Sequence, residues 1–462
     1  MQEPQYVVPR IDIIEEPQNT NQQPNVNLGR IGFVGTFSWG PVGVPIRGYS
    51  ETMLEQTFQG YTAGLTGWLS LHGIYKQNSN ADVTVIRVAG ASAKAATLTC
   101  NDSTSKPSVI VTANYPGTKP ISVSWQAGTA SNTVKLIVIA DNTSRTYDNL
   151  TLTNLNTVID PNVNVTAATG AGALPAPISS TSLAGGDNGA TTQDSDYVNG
   201  LNAFANVPIH IILAAQQSSP TVQAALLAIG ANTNVANGLC FPILNMPNNQ
   251  SAAITETAMA TLQGLRGIMS SPWGAYDDLP GVTAASDGCF AGILSNIAAY
   301  ESLSGQVVKG LSSLQISYTD DDVYALTEAR VCPITIDPLS GNFVIRNGVN
   351  MFVMPTNVKS DDWSQVNVRR EFDKLETEIY IGTQWAKSNT NPNLPKQLST
   401  WIDEHLRKAK VDNGEITDYQ PTTANRDTSN QRRVITAISV QPLFAADFID
   451  NYIAQWSGAI SK

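Results

Sequence analysis

Between residues 91 and 189 the chain abandons one pattern and later resumes it, and this interruption limits the folds open to it more than any other feature. Thr, Ser, Asn, Gly and Val dominate there, charges thin out, and short strand signals at 109–112, 121–125 and 134–139 recur between turn residues. On the near side, Arg30-Ile31-Gly32-Phe33-Val34-Gly35 reads as a buried strand, Trp39-Gly40-Pro41 as a turn, and 83–88 as another strand. On the far side, from residue 194 to about 330, strand and helix alternate: strands at 207–214 and 239–244, helices at 222–229, 252–265 and 291–300. Such alternation builds a mostly parallel sheet with covering helices. The middle stretch is therefore an all-β insertion into an α/β domain, and Gly185-Gly186-Asp187-Asn188-Gly189 returns the chain to its parent.

At 462 residues the chain exceeds a single core, so two to four domains are expected. A net charge of -11 and a pI near 4.8 argue against non-specific binding to nucleic acid or a membrane surface. There is no apolar run of membrane-spanning length, and Met1-Gln2-Glu3-Pro4 lacks the basic start and apolar core of a signal peptide, so a cytosolic product is expected. Cys100, Cys240, Cys289 and Cys332 are widely spaced with no C-x-x-C, which favours buried thiols over a metal knuckle or disulfide framework. Asp320-Asp321-Asp322 lacks calcium-loop spacing and suits a helix N-terminus. No phosphate-binding G-x-x-x-x-G-K-[ST] loop occurs, and no cofactor is expected.

The last hundred residues differ electrostatically from the rest. Residues 359–462 hold 13 of the 27 Lys and Arg and 14 of the 38 Asp and Glu, close to neutrality, against 14 and 24 in residues 1–358. Crowded charge of both signs fixes the register of contacts more than it adds affinity. A helix is expected at 366–386, with Phe372, Leu375, Ile379 and Gly382 on one face and the pairs Arg369/Asp373 and Lys374/Glu378 at supportive spacing. A second helix covers 395–410, and a strand at 433–440 alternates Val434, Thr436, Ile438 and Val440 on one face. The segment 448–456 fits a strand or a short helix. At the other end, Tyr6 to Glu15 has strand-forming residues followed by a polar tether.

In order along the chain, these motifs resemble the tail sheath proteins of contractile phage tails and related injection machines. The sheath-like motifs are the Ile31-Gly32-Phe33-Val34-Gly35 strand with Trp39-Gly40-Pro41, then Phe58-Gln59-Gly60, Tyr115-Pro116-Gly117, and Leu183-Ala184-Gly185-Gly186-Asp187-Asn188-Gly189. Ser271-Pro272-Trp273, Gly288-Cys289-Phe290-Ala291-Gly292 and Trp363-Ser364-Gln365-Val366-Asn367-Val368-Arg369-Arg370 follow in family order. The family's proline-rich stretches beside the central helix are here Val282-Thr283-Ala284-Ala285-Ser286 and Ser304-Gly305-Gln306-Val307-Val308, and its arginine-threonine pair is missing around Asn347-Gly348.

The resemblance implies an α/β and β multidomain chain: a subtilisin-like α/β central domain at 21–90 and 190–345, an outer β-rich domain at 91–189, and an α+β C-terminal domain at 346–442. Arms at 1–20 and 443–462 would exchange strands between subunits through Tyr6, Val8, Ile11, Ile13, Phe448, Tyr452 and Trp456, with Val434, Ile438 and Val440 in the acceptor strand. It implies a helical homopolymer of stacked, six-fold rings around an inner tail tube, with baseplate and tail terminator partners. The polymer would be assembled in the host cytoplasm, would end in the tail of the virion and would contract to drive the tube through an envelope. Arg369, Arg370, Lys374, Arg407, Lys408 and Lys410 are the candidate tube-facing cations. A bacteriocin or secretion-type injector shares this sheath.

Two other classes fit the sequence less well. A hydrolase on a subtilisin-like domain needs a spaced Ser/His/Asp or Cys/His set, and the three histidines His72, His210 and His405 do not supply one; Cys289 at a helix start lacks an identifiable base. An adhesin would need a dominant β domain, whereas the β-rich part is about a fifth of the chain.

Overall fold

The computed structural model describes residues 24–353 and 362–446. Its centre is an eight-stranded sheet in the order Phe343–Ile345, Val331–Ile336, Ile268–Ser271, Phe241–Asn245, Ile211–Ala214, Ile31–Thr36, Val83–Val88, Pro45–Gly48. The six inner strands are parallel and the two edge strands antiparallel. Every residue of Ile31–Thr36 is buried. A strand covered on both faces has no solvent side, so it reads as a continuous apolar run instead of an alternation. One core joins Ile31 and Phe33 to Leu71, Ile74, Phe290 and Leu294; the other joins Val34 and Ile212 to Leu201, Leu226 and Leu326.

The helices Gly67–Gln77 and Asp287–Asn296 pack so closely that a Cβ at Gly288 would lie 2.1 Å from the Ser70 carbonyl oxygen, and one at Gly292 2.5 Å from that of Ile74. Those glycines weaken the sequence signal of a helix, and the expected helix at 291–300 in fact begins at Asp287. The helix expected at 252–265 ends at Met259, before the turn that leads to Gly267 at φ 131°, and the strand expected at 207–214 is confined to Ile211–Ala214. The acidic run caps its helix as expected: Thr319 and Asp322 satisfy each other's backbone amides ahead of Asp320–Glu328.

Residues 95–182 form two further sheets, Ala95–Asn101, Pro107–Pro116 and Val163–Ala167 in one, and Ile178–Ser182, Ile121–Ala127, Val134–Ala140 and Thr143–Leu150 in the other. They share a core around the fully buried Trp125 with Val109, Val123 and Leu136. Arg87, at the end of a central strand, joins this unit to the central sheet. Its guanidinium donates to the carbonyls of Phe37 at 3.0 Å, Gly40 at 2.5 Å and Pro116 at 2.8 Å and to Asn188 Oδ1 at 2.8 Å. Burial pulls its pKa down to about 10. Trp39 meets Tyr115 edge-on at 5.4 Å, so two motifs far apart in sequence converge on this joint.

The C-terminal part is built from two helices, Val366–Gly382 and Leu394–Val411, and a hairpin of Ile416–Arg426 with Val434–Pro442. Leu375, Ile402, Leu406, Ala409 and Ile416 form its core. Gly382 is required at the crossing, since a Cβ there would stand 2.0 Å from the Trp401 ring.

Candidate assembly interface

The hairpin is a two-stranded sheet, 11 and 9 residues long, paired from Arg426 with Val434 to Ile416 with Pro442. Tyr419, Ile438 and Val440 pack against the helical core, and the alternate residues of Val434–Pro442 are exposed, Ile435 among them. Among the described residues no third strand pairs with either outer edge. An edge of that length presents a row of backbone donors and acceptors, the template for an added strand. The expected acceptor residues Val434, Ile438 and Val440 are half-buried, Ile438 and Val440 against the helical core. The arm residues Tyr6, Val8, Ile11, Ile13, Phe448, Tyr452 and Trp456 lie outside the described residues.

Three of the six candidate tube-facing cations are not surface groups. Arg369, Arg370 and Lys374 are 5%, 3% and 8% exposed and are bonded within the chain. Arg369 bridges Asp373 at 2.7 Å and Glu376 at 3.0 Å and lies 4.6 Å from the centre of the Trp363 ring. Arg370 Nη2 donates to the carbonyl of Leu294 at 2.7 Å, and burial lowers its pKa to about 10. Lys374 bridges Glu415 and stands 3.7 Å from Glu378. A buried cation must be paired where it is buried, so these three belong to the packing of the subunit, correcting the expectation that they meet a tube. Arg407, Lys408 and Lys410 remain at the surface of the second helix, Arg407 bridging Glu404 at 2.9 Å and Lys410 bridging Asp418 at 2.8 Å.

The sequence pairs Arg369/Asp373 and Lys374/Glu378 are both formed. What sequence reasoning missed is their wider company. Arg266, 1% exposed, places a fork on the Asp373 carboxylate at 2.7–2.9 Å and donates to the carbonyl of Asn232 at 2.8 Å. It therefore fastens the central domain to the first C-terminal helix. Only the spacing 369, 373, 376 on one side of the helix and 367, 371, 374, 378 on the other hints at two polar stripes.

Among the described residues no Ser/His/Asp or Cys/His set is brought together. His72 holds Glu51 at 2.6 Å and Asp278 at 3.0 Å; burial opposes its protonation, but the two carboxylates outweigh it and its pKa is raised. His210 is pushed down to about 4, chiefly by burial, and His405 pairs with Glu378 at 3.1 Å. Burial pushes the Cys289 thiol up to about 12, far from a thiolate nucleophile. Ser70 donates its hydroxyl directly to Asp287 at 2.7 Å, with no imidazole between them. All four cysteines are free and buried.

A doubly covered α/β sheet, an inserted pair of β sheets and a helix–hairpin C-terminal unit together make the fold of contractile sheath proteins. The sheath tail protein of Desulfitobacterium hafniense matches with a TM-score of 0.71 and 15% identity over 94% of this chain and 100% of that one. That of Listeria innocua matches with 0.71 and 15% over 92% and 94%. The helical sheath of the anti-feeding prophage in its contracted state matches with 0.58 and 14% over 97% and 99%. Residues 358–453 match the family of the phage tail sheath C-terminal domain. No curated protein matches the chain by sequence.

Proposed function

We propose that the chain is a structural subunit of a contractile sheath, without enzymatic activity, that polymerises helically around an inner tube by exchanging terminal strands. The observation that carries this reading is the long hairpin, with no third strand on either edge among the described residues, inside the stretch 358–453 that matches the phage tail sheath C-terminal domain. The division is a subtilisin-like central domain at 21–90 and 190–345, an outer domain at 91–189 and a C-terminal domain at 346–442. Arms at 1–20 and 443–462 add to the hairpins of neighbouring subunits. An arm of about eight residues makes roughly six ladder bonds at about 1 kcal/mol net each, offset by a similar ordering cost. One link is weak, but a subunit tied by several links in a closed lattice is not released by breaking one.

Tethered subunits can rotate and slide without dissociating, so an extended metastable lattice relaxes into a shorter one as new surface is buried. Driving a tube through an envelope, for genome ejection from a virion or for injection by a related machine, follows from that change. Arg407, Lys408 and Lys410 are the remaining cations suited to a tube surface, and the outer ends of the polymer would meet baseplate and terminator proteins. Negative-stain electron microscopy of the purified protein is the test. Hollow helical tubes that vanish on deleting residues 1–20 or 443–462 support strand exchange; tubes that persist in both deletions refute it.

A further inference from the structure

The two ends of the described chain are bonded to one helix. At the N-terminal end, the Val26 amide donates to Glu378 Oε1 at 2.9 Å. At the C-terminal end, the Leu443 amide reaches Glu371 Oε2 at 3.4 Å, and the Leu443 carbonyl accepts from Asn367 Nδ2 at 3.0 Å. Asn367, Glu371, Lys374 and Glu378 are spaced i, i+4, i+7 and i+11, one stripe along Val366–Gly382. The two attachment points at 371 and 378 are thus about 10 Å apart along a single axis.

The stripe is built in advance of what it holds. Glu378 is 2% exposed, with Lys374 at 3.7 Å and His405 at 3.1 Å fixing the carboxylate whose Oε1 receives Val26. Lys374 in turn reaches Glu415 at the start of the hairpin. Glu371 is 1% exposed, and among the described residues its Oε1 has no hydrogen-bond partner, leaving Leu443 as the group its other oxygen serves. Away from this stripe on the same helix, Asp373 is gripped by Arg266, and Arg370 donates to the carbonyl of Leu294.

We infer that Glu371 and Glu378 are positioning residues for assembly: they fix where the two terminal segments leave the subunit. This rests on the proposed strand exchange. It goes beyond it by naming the anchor of the arms inside the subunit that sends them. An arm released at its root sweeps a larger volume and meets its acceptor at a lower effective concentration, although its own sequence is intact.

The test uses the full-length chain with Glu378→Ala, Glu371→Ala and the near-isosteric Glu378→Gln, whose amide oxygen still accepts from Val26. Peptide-resolved hydrogen exchange on unassembled subunits and the critical concentration for tube formation are measured together. Loss of one root bond should speed exchange at Val26 in Glu378→Ala, or at Leu443 in Glu371→Ala, by roughly tenfold and raise the critical concentration by a similar factor. Glu378→Gln should recover most of both, an effect that general loosening of the helix would not show. If an alanine variant proves unfolded, the glutamine variant decides: assembly as poor as that of a chain lacking residues 1–20 overturns the inference. Faster root exchange with unchanged assembly in the alanine variants also overturns it, provided the arm deletions abolish tubes. Tubes that survive the arm deletions overturn the strand-exchange reading itself.

Discussion

The joint between Arg266 and Asp373 allows a quantitative test of how the C-terminal helix is held. Arg266 makes three short contacts with the carboxylate and two with the carbonyls of Gly230 and Asn232, at 1% exposure. Removing one partner of a buried ion pair costs about 3–5 kcal/mol, because the other is left uncompensated. Arg266→Met leaves Asp373 still bridged to Arg369 at 2.7 Å, so it falls at the lower end, about 3 kcal/mol. Asp373→Asn removes the one anion shared by two buried guanidiniums, Arg266 and Arg369, and falls at the upper end, about 5 kcal/mol. In the double variant the penalties share a cause, so the sum should exceed the measured loss by about 2 kcal/mol. Because a multidomain chain does not unfold in one step, the free energies are read from hydrogen exchange within 366–382, the helix that the pair fastens. Equal costs for the two single variants, or strict additivity in the cycle, would refute the account of a shared anion.

Two other outcomes are expected. Burial pushes Glu371 from 4.5 up to about 8, so the native state keeps a proton that the unfolded chain releases. That makes the group's contribution to stability fall as pH rises from the unfolded value toward about 8, by about 3 kcal/mol at pH 7 at roughly 1.4 per unit. Glu371→Gln should therefore gain on the parent chain between pH 5 and pH 8 in denaturant titrations, and parallel pH profiles would contradict the assigned burial cost. Gly288→Ala places a methyl group 2.1 Å from the Ser70 carbonyl oxygen and should cost about 3 kcal/mol or more by forcing two packed helices apart; a melting temperature within a degree of the parent would show that the helices yield freely.

Much of the fold is legible in the sequence where burial is of one kind along an element. The uniform run Ile31-Gly32-Phe33-Val34-Gly35 reads as a central strand because both of its faces are covered, and Val134–Ala140 reads as a half-buried strand because inward and outward residues alternate without error. The helix Gly67–Gln77 escapes notice since its glycines, which permit the close crossing, are also poor helix formers. The interface is harder. Periodicity shows that Arg369 and Asp373 share a helical side, but not that Arg266, more than a hundred residues earlier, covers it. A charge-rich helix looks solvated from sequence, yet Asn367, Arg369, Arg370, Glu371, Asp373, Lys374 and Glu378 are all buried. Charge of both signs lets most of such a helix be enclosed, since Arg369 pairs with Asp373 and Lys374 with Glu378 and Glu415, while Arg370 is satisfied by the Leu294 carbonyl and Glu371 is raised to about 8 by burial.

Where the β-rich unit leaves and rejoins the central sheet, the Gly90 amide bonds the Asn188 carbonyl at 2.9 Å and the Ala190 amide bonds that of Ala91 at 3.1 Å. Its two ends are neighbours, so the central sheet needs only a tight turn in its place, and the Arg87 guanidinium closes over the seam from the side of the parent. A compact unit put in its place would meet the central strands through the same two ends, but would have to replace the Pro116 and Asn188 oxygens that satisfy Arg87. The seam is a graft point whose cut ends already touch.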